Sequence, residues 1–436
     1  MNLYSTNHLS EDVNFQEAIF RGLPPDNGLY MPSFIPTLPS TFWDSVEKLS
    51  LQEIAFEISY TLLKEEISAD DLKEIIEKSI DFAAPVIGIS ENIHCLELFH
   101  GPSMAFKDFG ARFMAAVMSY FLKKSEKTIN ILVATSGDTG GAVAQGFFES
   151  NNISVTILYP EGKVSDIQEK QLTTLGKNIQ AVEIDGTFDD CQALVKKAFL
   201  DEDLRANFNL ASANSINIAR LIPQSFYYVA AYAQMKRLGK KIVFSVPSGN
   251  FGNLTAGLLA MKMGMPVDTF IAATNVNKVV PEYLESGIYT PISPSISTIS
   301  NAMDVGNPSN FPRMSAIFNG ELNQMREVVK GTFFDDNQTR EAVKEIYSKF
   351  EYLTCPHSAI AYLGLKEFLE ENNSEYVGVF LSTAHYAKFL PEMESILGFT
   401  PEIPERLEVL LEKTKISTKL KNDYQLFKAF LEENLI

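Results

Sequence analysis

The chain has 436 residues, 45% of them hydrophobic, and a formal charge of −18, with no lysine- or arginine-rich stripe to offset it. That is length enough for two or three packed domains, and the charge speaks against nucleic acid as a partner. No run approaches the roughly 20 apolar residues of a membrane span, Met1 to Phe15 holds Glu11 and Asp12 with no basic start or apolar core, and three widely spaced cysteines (Cys95, Cys191, Cys355) fit neither a disulfide framework nor a metal site, so no membrane, no metal and a reduced cytoplasm are expected.

From the N-terminus, a turn-rich opening (Gly22-Leu23-Pro24-Pro25-Asp26-Asn27-Gly28) precedes amphipathic helices over Leu51 to Leu63 and Ala69 to Ile80. Short runs rich in branched residues follow: Ile93 to Leu98, Ile129 to Ala134, Val155 to Tyr159, Ile179 to Ile184, Ile242 to Val246, Thr269 to Ala273 and Val377 to Leu381. Helical patterns lie between them, so the fold class is α/β, with parallel sheets covered by helices on both faces. There are too many strands for one unit. The expected division is an N-terminal, mostly helical segment (1–90), a middle three-layer α/β domain (91–235) and a second three-layer α/β domain (236–436) with C-terminal helices. Tyr289 to Asn310, rich in proline and serine, reads as a long loop of functional or mobile character.

Four stretches carry chemistry. In the first, Ser103 can cap a helix whose apolar residues Phe106, Phe109, Phe113, Met114, Val117, Met118 and Phe121 recur at steps of three and four. Lys107 sits in its first turn, where the helix dipole disfavours a cation and burial lowers an amine's pKa. Such an amine is a candidate Schiff-base former, unless its stem merely covers apolar surface. In the second, Thr135-Ser136-Gly137-Asp138-Thr139-Gly140 follows a strand and suits a carboxylate or phosphate. Asp138 is its odd member, either facing a cation or capping the next helix. In the third, Ser248-Gly249-Asn250-Phe251-Gly252-Asn253 follows the Ile242 strand and opens a helix, a phosphate cup without a Walker lysine. In the fourth, Ser382-Thr383-Ala384-His385 offers hydroxyls at a strand end, and His385 is either a proton carrier or a structural hydrogen-bonder. A lysine, a phosphate cup and a hydroxyl pair match the aldehyde, phosphate and ring nitrogen of pyridoxal phosphate (PLP).

Those stretches, with His100-Gly101-Pro102, Ser212-Ala213-Asn214-Ser215-Ile216-Asn217, Ala273-Thr274-Asn275 and Asn301-Ala302-Met303-Asp304, resemble the threonine synthase family, of the tryptophan-synthase-β type of fold, from about residue 90 to 390. Tyr4-Ser5-Thr6 and Gly28-Leu29-Tyr30 resemble its longer-chain branch. The resemblance implies a PLP enzyme with the cofactor between two domains, converting O-phospho-L-homoserine and water to L-threonine and phosphate. It implies Lys107 as the Schiff-base lysine, Gly249, Asn250, Phe251, Gly252 and Asn253 on the cofactor phosphate, Thr383 on the pyridine nitrogen and Asp138 near the ring oxygen. Thr135, Ser136, Gly137 and Thr139 would hold the substrate carboxylate. Asn214, Ser215, Asn217 and Arg220 would hold the substrate phosphate, with Arg112 behind them unless it pairs with Asp108 one turn away. Family members often carry asparagine at the position of Asp138, and have glycine and proline where this chain has Ser382 and Tyr386. A small-molecule substrate and a monomer or homodimer complete the expectation. The rivals are a related lyase releasing 2-oxobutyrate and a phosphometabolite-binding protein without covalent chemistry.

Overall fold

The computed structural model describes all residues except 124, 126, 373 and 374. A six-stranded sheet runs in the order β12 (Val329–Phe333), β11 (Thr269–Thr274), β10 (Lys241–Pro247), β13 (Tyr376–Ser382), β5 (Ile93–Glu97), β4 (Val86–Gly88). It is parallel except at β4, which runs antiparallel to β5. An all-parallel five-stranded sheet has the order β14 (Thr418–Lys421), β8 (Ile179–Asp185), β7 (Ile153–Pro160), β6 (Ile129–Ala134), β9 (Leu210–Ser212). The central strands β6, β7, β11 and β10 beyond its first residue are buried along their length, as sheets covered on both faces require. A small antiparallel sheet of β1 (Asn2–Ser5), β2 (Val13–Asn14) and β3 (Tyr30–Pro32) opens the chain.

The expected strands all form, and helix Leu51–Leu63 has the expected bounds with a Ser50–Glu53 capping box. The second N-terminal helix is Ala69–Ser79, capped by Ser68. Sheet membership does not follow divisions at 91 and 236. β5 lies in the large sheet, paired in register with β13 (Cys95 opposite Phe380), and β14 returns to pair with β8 (Leu420 opposite Ile184). The core under the N-terminal helices is continuous with that beneath both sheets, and Phe15, Ile58, Phe113 and Phe226 belong to one apolar cluster.

The helix expected after Ser103 begins at Lys107 and runs to Leu122. Ser103 does not cap it. Its backbone N–H donates to Asp108 Oδ2 at 2.8 Å, and Phe106 stands at the N-cap without a side-chain hydrogen bond. The turn before the helix is instead bridged to the residues after β13: Phe106 N–H donates to the Thr383 carbonyl oxygen at 2.8 Å and His385 N–H to that of Met104 at 3.1 Å. Among the described residues no helix is long and apolar enough to cross a membrane, and no group of three histidine, cysteine or acidic side chains is arranged to hold a metal ion.

Candidate active site

The carboxyl ends of β6, β9, β10 and β13 open into one cleft of about 1710 Å³ between the two large sheets, lined by Lys107, Thr135, Ser136, Asp138, Thr139, Asn214, Ser215, Arg220, residues 248–253 and Thr383. Ligands of open α/β sheets bind at such strand ends. Residues from the loop 291–309 line the same cleft.

Lys107 is the first residue of its helix, with the ring of Phe106 5.5 Å from its Nζ. Burial pushes its pKa below the ordinary lysine value, Asp138 opposes this, and Lys388 and Arg220 add to it. Asp138 Oδ2 stands 3.9 Å from Lys107 Nζ. Burial would raise the Asp138 pKa, but the ammonium groups of Lys388 and Lys107 hold the carboxyl well below the usual range. Asp138 is therefore not a cap. It is the first residue of helix Asp138–Phe147, and Gly137 stands at the N-cap with φ +136°. A Cβ on Gly137 would lie 2.5 Å from the side chain of Gln168, so only glycine fits the turn. Thr135 Oγ1 accepts from Gly137 N–H at 3.0 Å and Gly140 N–H at 2.8 Å, which shapes the loop from within. Gly137 itself is not among the lining residues.

At the end of β10 the glycine cup forms as expected, and its helix begins at Gly252. Phe251 takes a left-handed φ of +62°, and a Cβ on Gly249 would meet the Met303 Cα at 2.8 Å. Asn250 spends its side-chain oxygen on the backbone N–H (2.8 Å) and hydroxyl (2.7 Å) of Ser309. Asn253 Oδ1 accepts the hydroxyls of Tyr227 and Tyr228, each at 2.7 Å, and its Nδ2 is a buried donor without a partner. At the end of β13 the pleat separates the two hydroxyls. Ser382 accepts from Ser358 at 3.3 Å, whereas Thr383 lines the cleft.

Several sequence-level expectations are corrected. Asn217 is fully buried and does not line the cleft. Its Oδ1 caps helix Ile218–Leu221, and its Nδ2 donates to the carbonyl oxygens of Ile19 (2.8 Å) and Ser212 (3.2 Å). Arg112 pairs neither with Asp108 nor with the cleft; it binds Asp81 at 2.7 Å and the carbonyl oxygens of Ser79 and Lys78. His385, read as either a proton carrier or a structural hydrogen-bonder, is on the structural side of that alternative: it does not line the cleft and caps a short 3₁₀ turn through Nδ1, and burial lowers its pKa to about 4. Arg220 does line the cleft; its guanidinium donates to the Ala213 carbonyl and, among the described residues, has no carboxylate within ion-pair distance.

Three side chains near Lys107 were not anticipated. His357 lines the cleft, accepts at Nε2 from Ala302 N–H at 3.2 Å, and is pushed to about 4 by burial, so it is a neutral imidazole. Gln168 donates to Asp138 Oδ1 at 2.9 Å. Lys388 forms a fully buried ion pair with Asp138 at 2.8 Å. Lys388 alone carried a local signal, a lysine set between Ala387 and Phe389-Leu390.

Comparison with known proteins places the chain among relatives. Residues 85–383 match the model of pyridoxal-phosphate dependent enzymes, residues 2–80 that of the threonine synthase N terminus, and residues 358–431 that of the threonine synthase C-terminal part. The threonine synthase of Escherichia coli is 44% identical over 97% of both chains, and that of Saccharomyces cerevisiae 34% identical over 97% of this chain and 96% of the yeast one. A crystal structure of the Escherichia coli enzyme superimposes with a TM-score of 0.92 over 99% of this chain and 100% of that one. A PLP-bound threonine synthase from Brucella melitensis, 32% identical, does so with 0.93 over 100% and 99%. The chain belongs to the threonine synthase family of pyridoxal-phosphate-dependent enzymes.

Proposed function

We propose that the chain converts O-phospho-L-homoserine and water to L-threonine and inorganic phosphate, with PLP bound in the cleft and Lys107 as its Schiff-base lysine. The residues present fit that cofactor. Asn253 offers an unpartnered buried amide donor in a glycine cup at a helix N-terminus, Lys107 is an amine held below its ordinary pKa, and Thr383 lines the same cleft. The cup's backbone amides and Asn253 would hold the phosphate, and Thr383 would hydrogen-bond the ring nitrogen. Asn250 contributes through its backbone, since its side chain is engaged with Ser309. PLP, when bound, supplies an electron sink that acidifies the protons at the substrate's Cα and Cβ and so allows the γ-phosphate to leave.

The residues of the chain do the rest. Lys107 would hold the cofactor covalently, and its Nζ, once free, would take and return protons at the substrate's Cα and Cβ from close range. Asp138 Oδ2, on the side of Lys107 Nζ, receives a hydrogen bond from that amine once it is protonated. Ser136, Thr139 and the backbone of the 135–139 turn hold the substrate carboxylate at the start of helix Asp138–Phe147. Asn214, Ser215 and Arg220 offer donors to the leaving phosphate. The single observation that carries the reading is that Lys107 lines one cleft together with the glycine turn 248–253 at a helix start and with Thr135, Ser136 and Thr139 of the turn after β6. Incubation of the PLP-loaded protein with O-phospho-L-homoserine tests it: threonine and phosphate are expected, and 2-oxobutyrate in place of threonine would overturn the water-addition step.

A further inference from the structure

Lys388 follows Thr383 in the turn after β13, and its side chain is fully buried. Its Nζ lies 2.8 Å from Asp138 Oδ1 and donates to the Ser103 carbonyl oxygen at 2.7 Å. The same Oδ1 accepts from Gln168 Nε2 at 2.9 Å. One oxygen of the Asp138 carboxylate therefore carries two donors, while the other is turned to Lys107 at 3.9 Å. The backbone of Lys388 reinforces the arrangement. Its carbonyl oxygen accepts from Ser165 Oγ at 2.9 Å, and Ser165 caps the helix Asp166–Thr173 that carries Gln168. A buried ammonium that cannot reach water persists only against an anion, and here the anion is shared with the lysine assigned to the chemistry. Other charged or titratable groups whose fields reach this trio are Arg220 toward Lys107, His357 toward both Lys107 and Asp138, Cys355 toward Asp138, and Asp108 and His385 toward Lys388.

We propose that Lys388 is a positioning residue of the reaction: it keeps the Asp138 carboxylate ionised with Oδ1 occupied, leaves Oδ2 alone to face Lys107, and by its fixed positive charge keeps the freed Lys107 amine unprotonated and able to take a proton. The inference rests on Lys107 being the Schiff-base lysine. Without Lys388, Asp138 would form a one-to-one ion pair with Lys107 and hold it as an ammonium ion, which can neither form the covalent bond nor accept a proton.

The test is a pH titration of the visible absorption band of the PLP-loaded protein, run beside thermal melting, for the native chain and for Lys388→Met and Lys388→Arg. The Met variant is expected to raise the titration midpoint by about one pH unit or more, and the Arg variant, which restores the charge, to bring it back toward the native value. A Met variant that melts earlier with its midpoint unmoved shows a purely structural lysine and overturns the proposal. Asp138→Asn keeps the test decisive if Lys388→Met does not fold. With the anion removed, two facing amines repel, and the midpoint is expected to fall; a midpoint unmoved or raised overturns the proposal. A band that survives in Lys107→Ala and can be fixed there by borohydride overturns the underlying reading as well, and is recognised by occurring without Lys107.

Discussion

Phe106 donates its backbone N–H to the carbonyl oxygen of Thr383 across 2.8 Å, so the residue before Lys107 and the residue assigned to the cofactor's ring nitrogen are tied main chain to main chain. Replacing the Thr383 side chain leaves that bond in place. Thr383→Val is therefore expected to keep a borohydride-fixable cofactor and the native melting temperature, while turnover falls by about ten- to a hundredfold, the equivalent of one or two hydrogen bonds. Absorbance spectra and steady-state rates on one preparation check both halves.

The orientation of the Asn253 amide is a second case of geometry set by a distant donor. Tyr227 has an alternative acceptor in Gln224 Oε1 at 3.3 Å, but the Tyr228 hydroxyl is satisfied by Asn253 Oδ1. Burial raises the pKa of both tyrosines well above the ordinary value, so both keep their protons. Tyr228 thereby turns the amide so that Nδ2, not Oδ1, is left for an anion. Tyr228→Phe lets the amide flip, and PLP affinity is expected to weaken by about fivefold, close to 1 kcal/mol. Binding of pyridoxal without its phosphate is expected to stay unchanged, and equilibrium titration of the apo protein with both compounds separates the two.

Arg313 is buried, and among the described residues no carboxylate stands beside it. It donates to the carbonyl oxygens of Tyr30 (3.1 Å), Ser215 (3.2 Å) and Ile216 (2.6 Å) and to Asn310 Oδ1 (3.0 Å). It thus joins the N-terminal sheet, the Asn214–Asn217 loop and the segment beside the phosphate cup. Arg313→Met leaves those oxygens unpaired, with an expected loss of about 3 kcal/mol in unfolding free energy and a KM for the phosphorylated substrate that rises more than kcat falls. Denaturant unfolding and a substrate titration measure the two effects.

Stability against pH has a definite sign. His357 and His385 are both held at about 4 by burial, below the ordinary 6.5. Between those values the unfolded chain binds protons that the folded one refuses, so each histidine costs about 1.4 kcal/mol of stability per pH unit as acidity increases. Asp108 works in the opposite sense. Burial raises it to about 6 from 3.8, so the folded chain holds the extra proton between those values, and that contribution is lost as pH rises. His385→Gln is expected to flatten the acid limb of the stability curve by about 1.4 kcal/mol per pH unit, measured by urea unfolding from pH 6.5 to 4.

The strands were legible because parallel strands buried on both faces are written as unbroken apolar runs, and the cleft because its turns lie at strand ends. What could not be read was partnership across the chain. Nothing in Ile93–Glu97 says that it pairs with Tyr376–Ser382 rather than with Ile129–Ala134. Asn217 has the residue type of a phosphate donor, yet its amide is used up by Ile19 and by the start of its own helix, a fate decided by packing alone. Lys388 was missed for the same reason, since its meaning lies in a carboxylate about 250 residues away, at the start of helix Asp138–Phe147.

The return of β14 to the five-stranded sheet has a consequence for synthesis. β8 keeps an open edge until Thr418–Lys421 arrives, and those residues leave the ribosome only after the whole of the six-stranded sheet has been made. The final helix Tyr424–Asn434 follows, bringing Phe427 and Leu431 onto the same sheet's apolar face. Throughout translation the nascent chain therefore exposes an unpaired edge and an uncovered apolar patch, a template for pairing with a neighbour. Nascent chains halted before Thr418 should depend on a chaperone in a way that released ones do not.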